Sequence, residues 1–352
     1  MGRFIKIENF VLLGLLFCWG AKVESKPLVQ AFYVFGDSTI DSGNNNQLAT
    51  VFKSNFPPYG MDFPGGIPTG RFSDGRLVTD MLSSLMGLPD ELPAYLDPNF
   101  TGEQLLTGAS FGSAGAGIDD TTSLPMGLIT LSKQLDNFKS YKEKLAAMVG
   151  DNNATEIISG ALFALSMGTK DFVVNYYMNP ITREKYTIDQ FQDLLLHDLQ
   201  PFIQKIYNEG ATKFVIFGVP PFGCLPLTIT LNNPISGTCV DDYNNVATSY
   251  NNKLAPFIDS MKASLPALQI AYIDIYNKFF NIIQDPTQYG FEEVRKSCCG
   301  TGKLEAGPLC NTFSKVCDDV SKHLFWDSIH PTSRAYNIIA NDVFKQIQGV
   351  IF

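Results

Sequence analysis

The chain has 352 residues, 45% of them hydrophobic, and a formal net charge of −9. That length suits one large domain or two smaller ones, with enough apolar residues for a real core. The acidic balance argues against a nucleic-acid partner, which needs a basic patch. The mean hydropathy of +0.03 argues against an integral membrane protein.

Arg3 and Lys6 precede an apolar run at residues 10–19, and small and polar residues follow. This order predicts a secretory signal peptide over residues 1–25, cleaved after Ser25 or, alternatively, Ala21. The run is shorter than the roughly 18–20 residues a spanning helix needs, so the mature chain is expected to lack a membrane segment. Cys18 falls in the leader, leaving Cys224, Cys239, Cys298, Cys299, Cys310 and Cys317. An even number in an exported chain predicts disulfides. Cys224 and Cys239 are expected to close a local loop. The other four are expected to form two bridges, whose connectivity the spacing leaves open. The adjacent Cys298-Cys299 and the lack of a CxxC pair disfavour a zinc site. Asn99-Phe100-Thr101 and Asn153-Ala154-Thr155 are N-glycosylation sequons.

In chain order, short apolar runs predict strands at 31–35, 105–111, 161–166, 213–219 and 269–275. Helices are predicted between and after them. The first, at 131–149, places Leu131, Leu135, Phe138, Leu145 and Met148 on one face. The second, at 188–208, has Gly210 at its C-terminal stop. A third is predicted at 241–265, and a last at 333–347, started by Pro331-Thr332. No internal repeat or long polar linker interrupts this pattern, so residues 26–352 are expected to form a single domain. Strands alternating with helices predict a parallel sheet covered on both faces. Ligands on such sheets bind at the carboxyl ends of the strands.

Phe35-Gly36-Asp37-Ser38 follows the first strand, and Asp327-Ser328-Ile329-His330-Pro331 precedes the last helix. A serine is a poor nucleophile until an imidazole takes its proton and a carboxylate orients that imidazole. Ser38, His330 and Asp327 are the candidates for these roles. Asp327, three residues before His330, lies within reach of Nδ1. The chain has only three histidines. His323 lacks a carboxylate at that spacing, and His197 falls mid-helix, where a surface role is expected. The competing readings are a turn serine and a pair of helix-capping surface residues. Gly108-Ala109-Ser110-Phe111-Gly112 also fits the GxSxG pattern, but a glycine-rich loop follows where that motif needs a helix.

Two blocks resemble the plant GDSL esterase/lipase family of the SGNH hydrolase superfamily. They are Phe35-Gly36-Asp37-Ser38-Thr39-Ile40-Asp41-Ser42-Gly43-Asn44-Asn45 and Phe325-Trp326-Asp327-Ser328-Ile329-His330-Pro331-Thr332. Phe111-Gly112-Ser113-Ala114-Gly115-Ala116-Gly117 is similar to the family's glycine block. The resemblance covers essentially all of the mature chain. It implies a three-layer α/β/α, flavodoxin-like fold and hydrolysis of carboxylic esters through a Ser-Asp-His triad. It also implies oxyanion donors at the Ser38 and Gly115 N–H groups, with Gly117 second to Gly115. The departure is in Gly168-Thr169-Lys170-Asp171, where the family carries an asparagine donor and this chain has Lys170.

Three consequences are open. Lys170 could replace the donor, it could retune or weaken the enzyme, or the scaffold could bind without turnover. The primary expectation is a secreted serine esterase of small-molecule or lipid esters. An acyltransferase using the same residues and a catalytically impaired binding protein are the alternatives. No metal or organic cofactor is implied, since phosphate-cradling motifs are missing.

Overall fold

The computed structural model describes residues 26–352. The expected leader, with Cys18, lies outside the described residues. The described chain opens with β1 (Phe32–Gly36), α1 (Val78–Leu85), β2 (Gly108–Ser110), α2 (Asp120–Ser123), α3 (Leu131–Val149), α4 (Asp151–Ser159) and β3 (Leu162–Ser166). A π-helical segment (Asp171–Tyr177), α5 (Pro180–Lys185), α6 (Ile188–Asn208), β4 (Lys213–Phe217), α7 (Pro226–Asn232) and α8 (Asp241–Ser264) follow. β5 (Gln269–Ile273), α9 (Tyr276–Gln284), β6 (Glu293–Ser297), β7 (His323–Phe325) and α10 (Ser333–Val350) complete it.

The five-stranded sheet has the order β2-β1-β3-β4-β5, all parallel. This is the flavodoxin-like arrangement, in which the strand order reverses beside β1. Alternate side chains point to opposite faces. Tyr33 and Phe163 pack against Phe138 of α3, and Phe35 and Phe214 pack against Phe202 of α6. α1, α9 and α10 pack together, with α10 against β5, on the other face. β1 to β4 are buried almost throughout, as expected for a parallel sheet covered on both sides, whereas the edge strand β5 is partly exposed. β6 and β7 form a separate parallel pair.

Local chemistry sets the helix bounds. Thr130 caps α3, Thr187 and Gln190 form a reciprocal capping box on α6, and Thr332 caps α10. Gly210, at φ +109°, follows the end of α6. Both α3 and α6 have the bounds read from the sequence, whereas α10 runs three residues further. One residue assigned to the α3 core face is not there. Met148 is exposed, and Tyr141 is buried instead.

The strand expected at 105–111 is only three residues long, because Gln104–Leu106 winds into a 3-10 turn. Gly108 begins it at φ +109°, where a Cβ would lie 2.0 Å from the Phe32 carbonyl oxygen. The expected 213–219 strand ends at Phe217, because both backbone groups of Val219 bond to the Asn251 side chain. The strand expected at 269–275 likewise ends at Ile273, where the Asp274 N–H turns to Gln346.

All six cysteines among the described residues are paired, as Cys224–Cys239, Cys298–Cys317 and Cys299–Cys310. The last two nest and staple the segment between β6 and β7. Among the described residues, no helix is long and apolar enough to cross a membrane. Asn99 and Asn153 are both exposed.

Candidate active site

The carboxyl ends of β1, β2 and β3 converge. Ser38 follows β1, the Gly112–Gly117 loop follows β2, and Lys170 follows β3. The loop between β7 and α10 brings in Asp327 and His330. Ser38 Oγ lies 2.7 Å from His330 Nε2, although 292 residues separate them in the chain. Both Asp327 carboxylate oxygens lie 2.8 Å from His330 Nδ1. All three residues are buried. With Nδ1 facing the carboxylate, Nε2 is left to accept from the serine hydroxyl. An imidazole so placed can take the Ser38 proton and return it later.

The Asp327–His330 turn is tightly held. Asp327 Oδ1 accepts from the N–H groups of Ile329 (2.9 Å) and His330 (2.8 Å). The His330 carbonyl accepts from the Trp326 N–H, and the next residues are pinned beside β7 through Thr332 N–H to Leu324 O. Thr332 then starts α10. The Phe72 ring lies against the imidazole, with centroids 4.9 Å apart.

Tyr59 supplies a contact that the sequence did not reveal. Its hydroxyl donates to Asp327 Oδ2 at 2.7 Å and accepts from the Gly307 N–H at 2.7 Å. Gly307 belongs to the disulfide-stapled segment, so that segment reaches the carboxylate through a single phenol. Burial and the adjacent Asp327 charge hold the Tyr59 hydroxyl protonated, well above the ordinary tyrosine range. Phe56, Phe72 and Trp326 pack edge-on around its ring. A lone tyrosine among 14 carries no spacing signal that could single it out.

On the serine side, residues downstream of Ser38 hold the glycine-rich loop. Asp41 accepts from Gly43 and Asn44 N–H through Oδ1 and from Ala114 N–H through Oδ2. Asn44 Nδ2 donates to the Ser110 and Gly112 carbonyls, and Asn45 Nδ2 to the Ala114 carbonyl. Burial pushes the Asp41 carboxyl up to about 6 despite these donors. Arg71 adds a buried two-point ion pair with Asp80 and donates to the Ser42 carbonyl.

Ala116 N–H closes a turn onto Ser113 O, with Gly115 at its third position at φ +89°. Such a turn favours glycine there. A Cβ on Gly115 would also come within 2.9 Å of Leu128. Among the described residues, neither the Ser38 nor the Gly115 N–H has a protein hydrogen-bond partner. The Gly117 N–H is already committed to Ser123 Oγ at 3.1 Å, which removes it as the alternative donor.

Lys170 precedes the π-helical segment and lines the same cleft as Asp37 and Ser38. Its ammonium lies 5.9 Å from the centre of the Phe52 ring, the ring that a side chain on Gly115 would touch. Burial lowers the Lys170 pKa, and the Asp37 and Asp327 charges oppose that. Next to it, Asp171 is buried and accepts from Thr122 Oγ1 and from the Ile118 and Asp119 N–H groups. Burial pushes Asp171 up to about 7. It ties the Lys170 turn to the end of the glycine-rich loop.

The rival sequence candidates lie elsewhere. Ser110 is buried within β2 and donates to the Ile40 carbonyl at 2.6 Å. His197 is exposed beside Asp198. His323 Nδ1 faces the Asp319 carbonyl, and the sulfurs near it belong to the Cys298–Cys317 disulfide.

Comparison with known proteins finds relatives over most of the chain. Residues 32–343 match the family model described as GDSL-like lipase/acylhydrolase. The Arabidopsis thaliana GDSL esterase/lipase At5g45960 is 46% identical over 318 residues, 89% of this chain and 85% of that protein. A second from the same plant, GDSL esterase/lipase At2g40250, is 43% identical over 345 residues, covering 96% and 95%. An acetylxylan esterase from Geobacillus stearothermophilus, of known structure, aligns over 92% of this chain and 94% of its own. Its TM-score is 0.41 at 12% identity, a likeness too distant to bear on substrate. The chain belongs to the GDSL-like lipase/acylhydrolase family and is an ester hydrolase of that type.

Proposed function

We propose that the protein is a secreted serine esterase acting through Ser38, His330 and Asp327. Ser38 Oγ attacks the ester carbonyl while His330 Nε2 takes its proton. The tetrahedral intermediate collapses, the alcohol leaves with the proton from His330, and an acyl group stays on Ser38. Water, deprotonated by His330, then releases the acid and restores the serine. Asp327 orients the imidazole and stabilises its charged form. The Ser38 and Gly115 N–H groups hold the oxyanion, with the Lys170 ammonium as a third donor. The observation that carries this reading is the 2.7 Å approach of Ser38 Oγ to His330 Nε2, with Asp327 at 2.8 Å behind it.

Residues 1–25 act as the export leader, residues 26–352 form one catalytic domain, and Asn99 and Asn153 carry glycans. Three disulfides, two exposed sequons and the N-terminal pattern support that route.

The test is labelling with a fluorophosphonate and mapping of the adduct. Adduct on Ser38, lost in His330→Ala, supports the assignment. A folded protein that takes up no probe would leave a binding scaffold, with Lys170 as the suspected cause. Product analysis with added alcohols separates hydrolysis from acyl transfer.

A further inference from the structure

The 298–317 segment reaches the Asp327–His330 turn in two places. The Glu305 carbonyl accepts from the N–H of Ser328 at 2.8 Å, and Ser328 is the buried residue that follows Asp327. Two residues further along, the Gly307 N–H donates to the Tyr59 hydroxyl, which donates to Asp327 Oδ2. The turn is therefore held from outside as well as by its own carboxylate. Among the described residues, none of 298–317 lines the cleft beside Ser38, so these contacts lie behind the triad.

Glu305 also shapes the loop that makes both contacts. Its Oε1 accepts from the Thr301 N–H at 2.9 Å. Its Oε2 accepts from Thr301 Oγ1 at 3.0 Å and from the Lys303 and Leu304 N–H groups, both at 3.1 Å. Gly300 and Gly302, at φ +73° and +77°, let the backbone curl around this one acid. Partial burial works against the charge, but the Thr301 and Lys303 donors hold the carboxyl down to about 2. The Cys299–Cys310 bridge closes the loop at its ends, and the Glu305 carboxylate organises its interior.

We infer that Glu305 is a positioning residue for Asp327. Its side chain holds the 300–307 loop so that its own carbonyl fixes Ser328 and the Gly307 N–H fixes Tyr59. Through these two neighbours it keeps the Asp327 carboxylate in register with His330. Such precision matters, because a displacement of about 1 Å can cost about 100-fold in rate. The inference rests on Asp327 being the carboxylate of the triad.

The test measures turnover of p-nitrophenyl acetate by the intact, disulfide-bonded protein. In Glu305→Ala, kcat should fall about tenfold with KM little changed, the size expected for losing one bond to a charged group. Glu305→Gln keeps one acceptor oxygen and should recover part of that loss. Gly300→Ala leaves the acid in the chain, but its Cβ would collide with Glu305 Cγ, so it should reproduce the loss. That variant also serves if Glu305→Ala does not fold. Glu305→Ala combined with Tyr59→Phe should lose about tenfold to thirtyfold, short of the roughly 100-fold that independent sites would give.

A purely structural role would leave the downfield proton NMR resonance of His330 Nδ1–H where it is. That resonance, assigned by its loss in His330→Ala, reports the contact with Asp327 and should shift in Glu305→Ala. An unchanged kcat, a fall in kcat with the resonance unmoved, or an additive double variant overturns the positioning role. Turnover that survives in Ser38→Ala or His330→Ala would overturn the triad reading instead.

Discussion

The two halves of the site are built in opposite ways. The histidine half is local. Asp327 and His330 are three residues apart, and a single turn sets their carboxylate, ring and backbone contacts. The serine half is assembled from three strand ends. Ser38, Gly115 and Lys170 come from segments more than fifty residues apart, joined by buried Asp41, Asn44, Asn45 and Asp171. The contrast shows where variation is tolerated. In the turn, the Asp327 carboxylate holds two backbone N–H groups and the His330 ring at once, so a change there disturbs several contacts together. Lys170, supplied by a separate strand end, stands where the resembled family carries an asparagine.

The largest break comes from the junction between the halves. Ser38→Ala should lower turnover of a simple ester by about 10⁴-fold or more with the fold retained, checked by steady-state kinetics and circular dichroism. The same loss should appear in His330→Ala. A residual rate near wild type would move the reaction away from this junction.

Next comes the serine half. Lys170→Met should cost about 100-fold in kcat, the usual range for one oxyanion donor. Lys170→Asn should stay within about tenfold of wild type, because an amide N–H also donates. Burial lowers the Lys170 pKa, so the wild type should lose activity on the alkaline side earlier than an ordinary lysine would dictate. That limb should be missing from the pH profile of Lys170→Asn.

A smaller effect should separate the brace on the histidine half from the triad itself. Tyr59→Phe removes a donor to the Asp327 charge and leaves the Gly307 N–H unpaired. A bond to a charged group is worth about 1.5–3 kcal/mol, so kcat should fall about tenfold with KM little changed. An unchanged kcat would mean that the local turn alone orients Asp327.

The mildest test concerns the carboxylates that fasten the serine half. Asp41 and Asp171 stand at about 6 and about 7 because of burial. Their unfolded values lie near about 4. The folded protein thus binds more protons between these limits. Their contribution to stability is fully present below about pH 4 and is lost as pH rises through about 7. The thermal midpoint should therefore fall between about pH 5 and pH 8, and less steeply in Asp171→Asn. A midpoint that rises over that range would reverse the sign assigned to these groups.

The sequence alone determined what short-range chemistry writes. The strand ending in Gly36-Asp37-Ser38, the Asp327–His330 spacing, the 131–149 and 188–208 helices and the cysteine pairing of 224 with 239 all depend on neighbours within a few turns. Periodicity, caps and fixed spacing record such neighbours directly. The nested pairing of Cys298 with Cys317 and Cys299 with Cys310 was one of several connectivities the spacing allowed. Only the tertiary structure decided which lone residues complete the site. Tyr59 lies 268 residues from Asp327, and Asn44 lies 66 and 68 residues from the carbonyls it holds. Asn44 falls in the block that carries the family resemblance, but local pattern names neither its partners nor Tyr59, because a hydrogen bond across the fold needs only one donor in the right place.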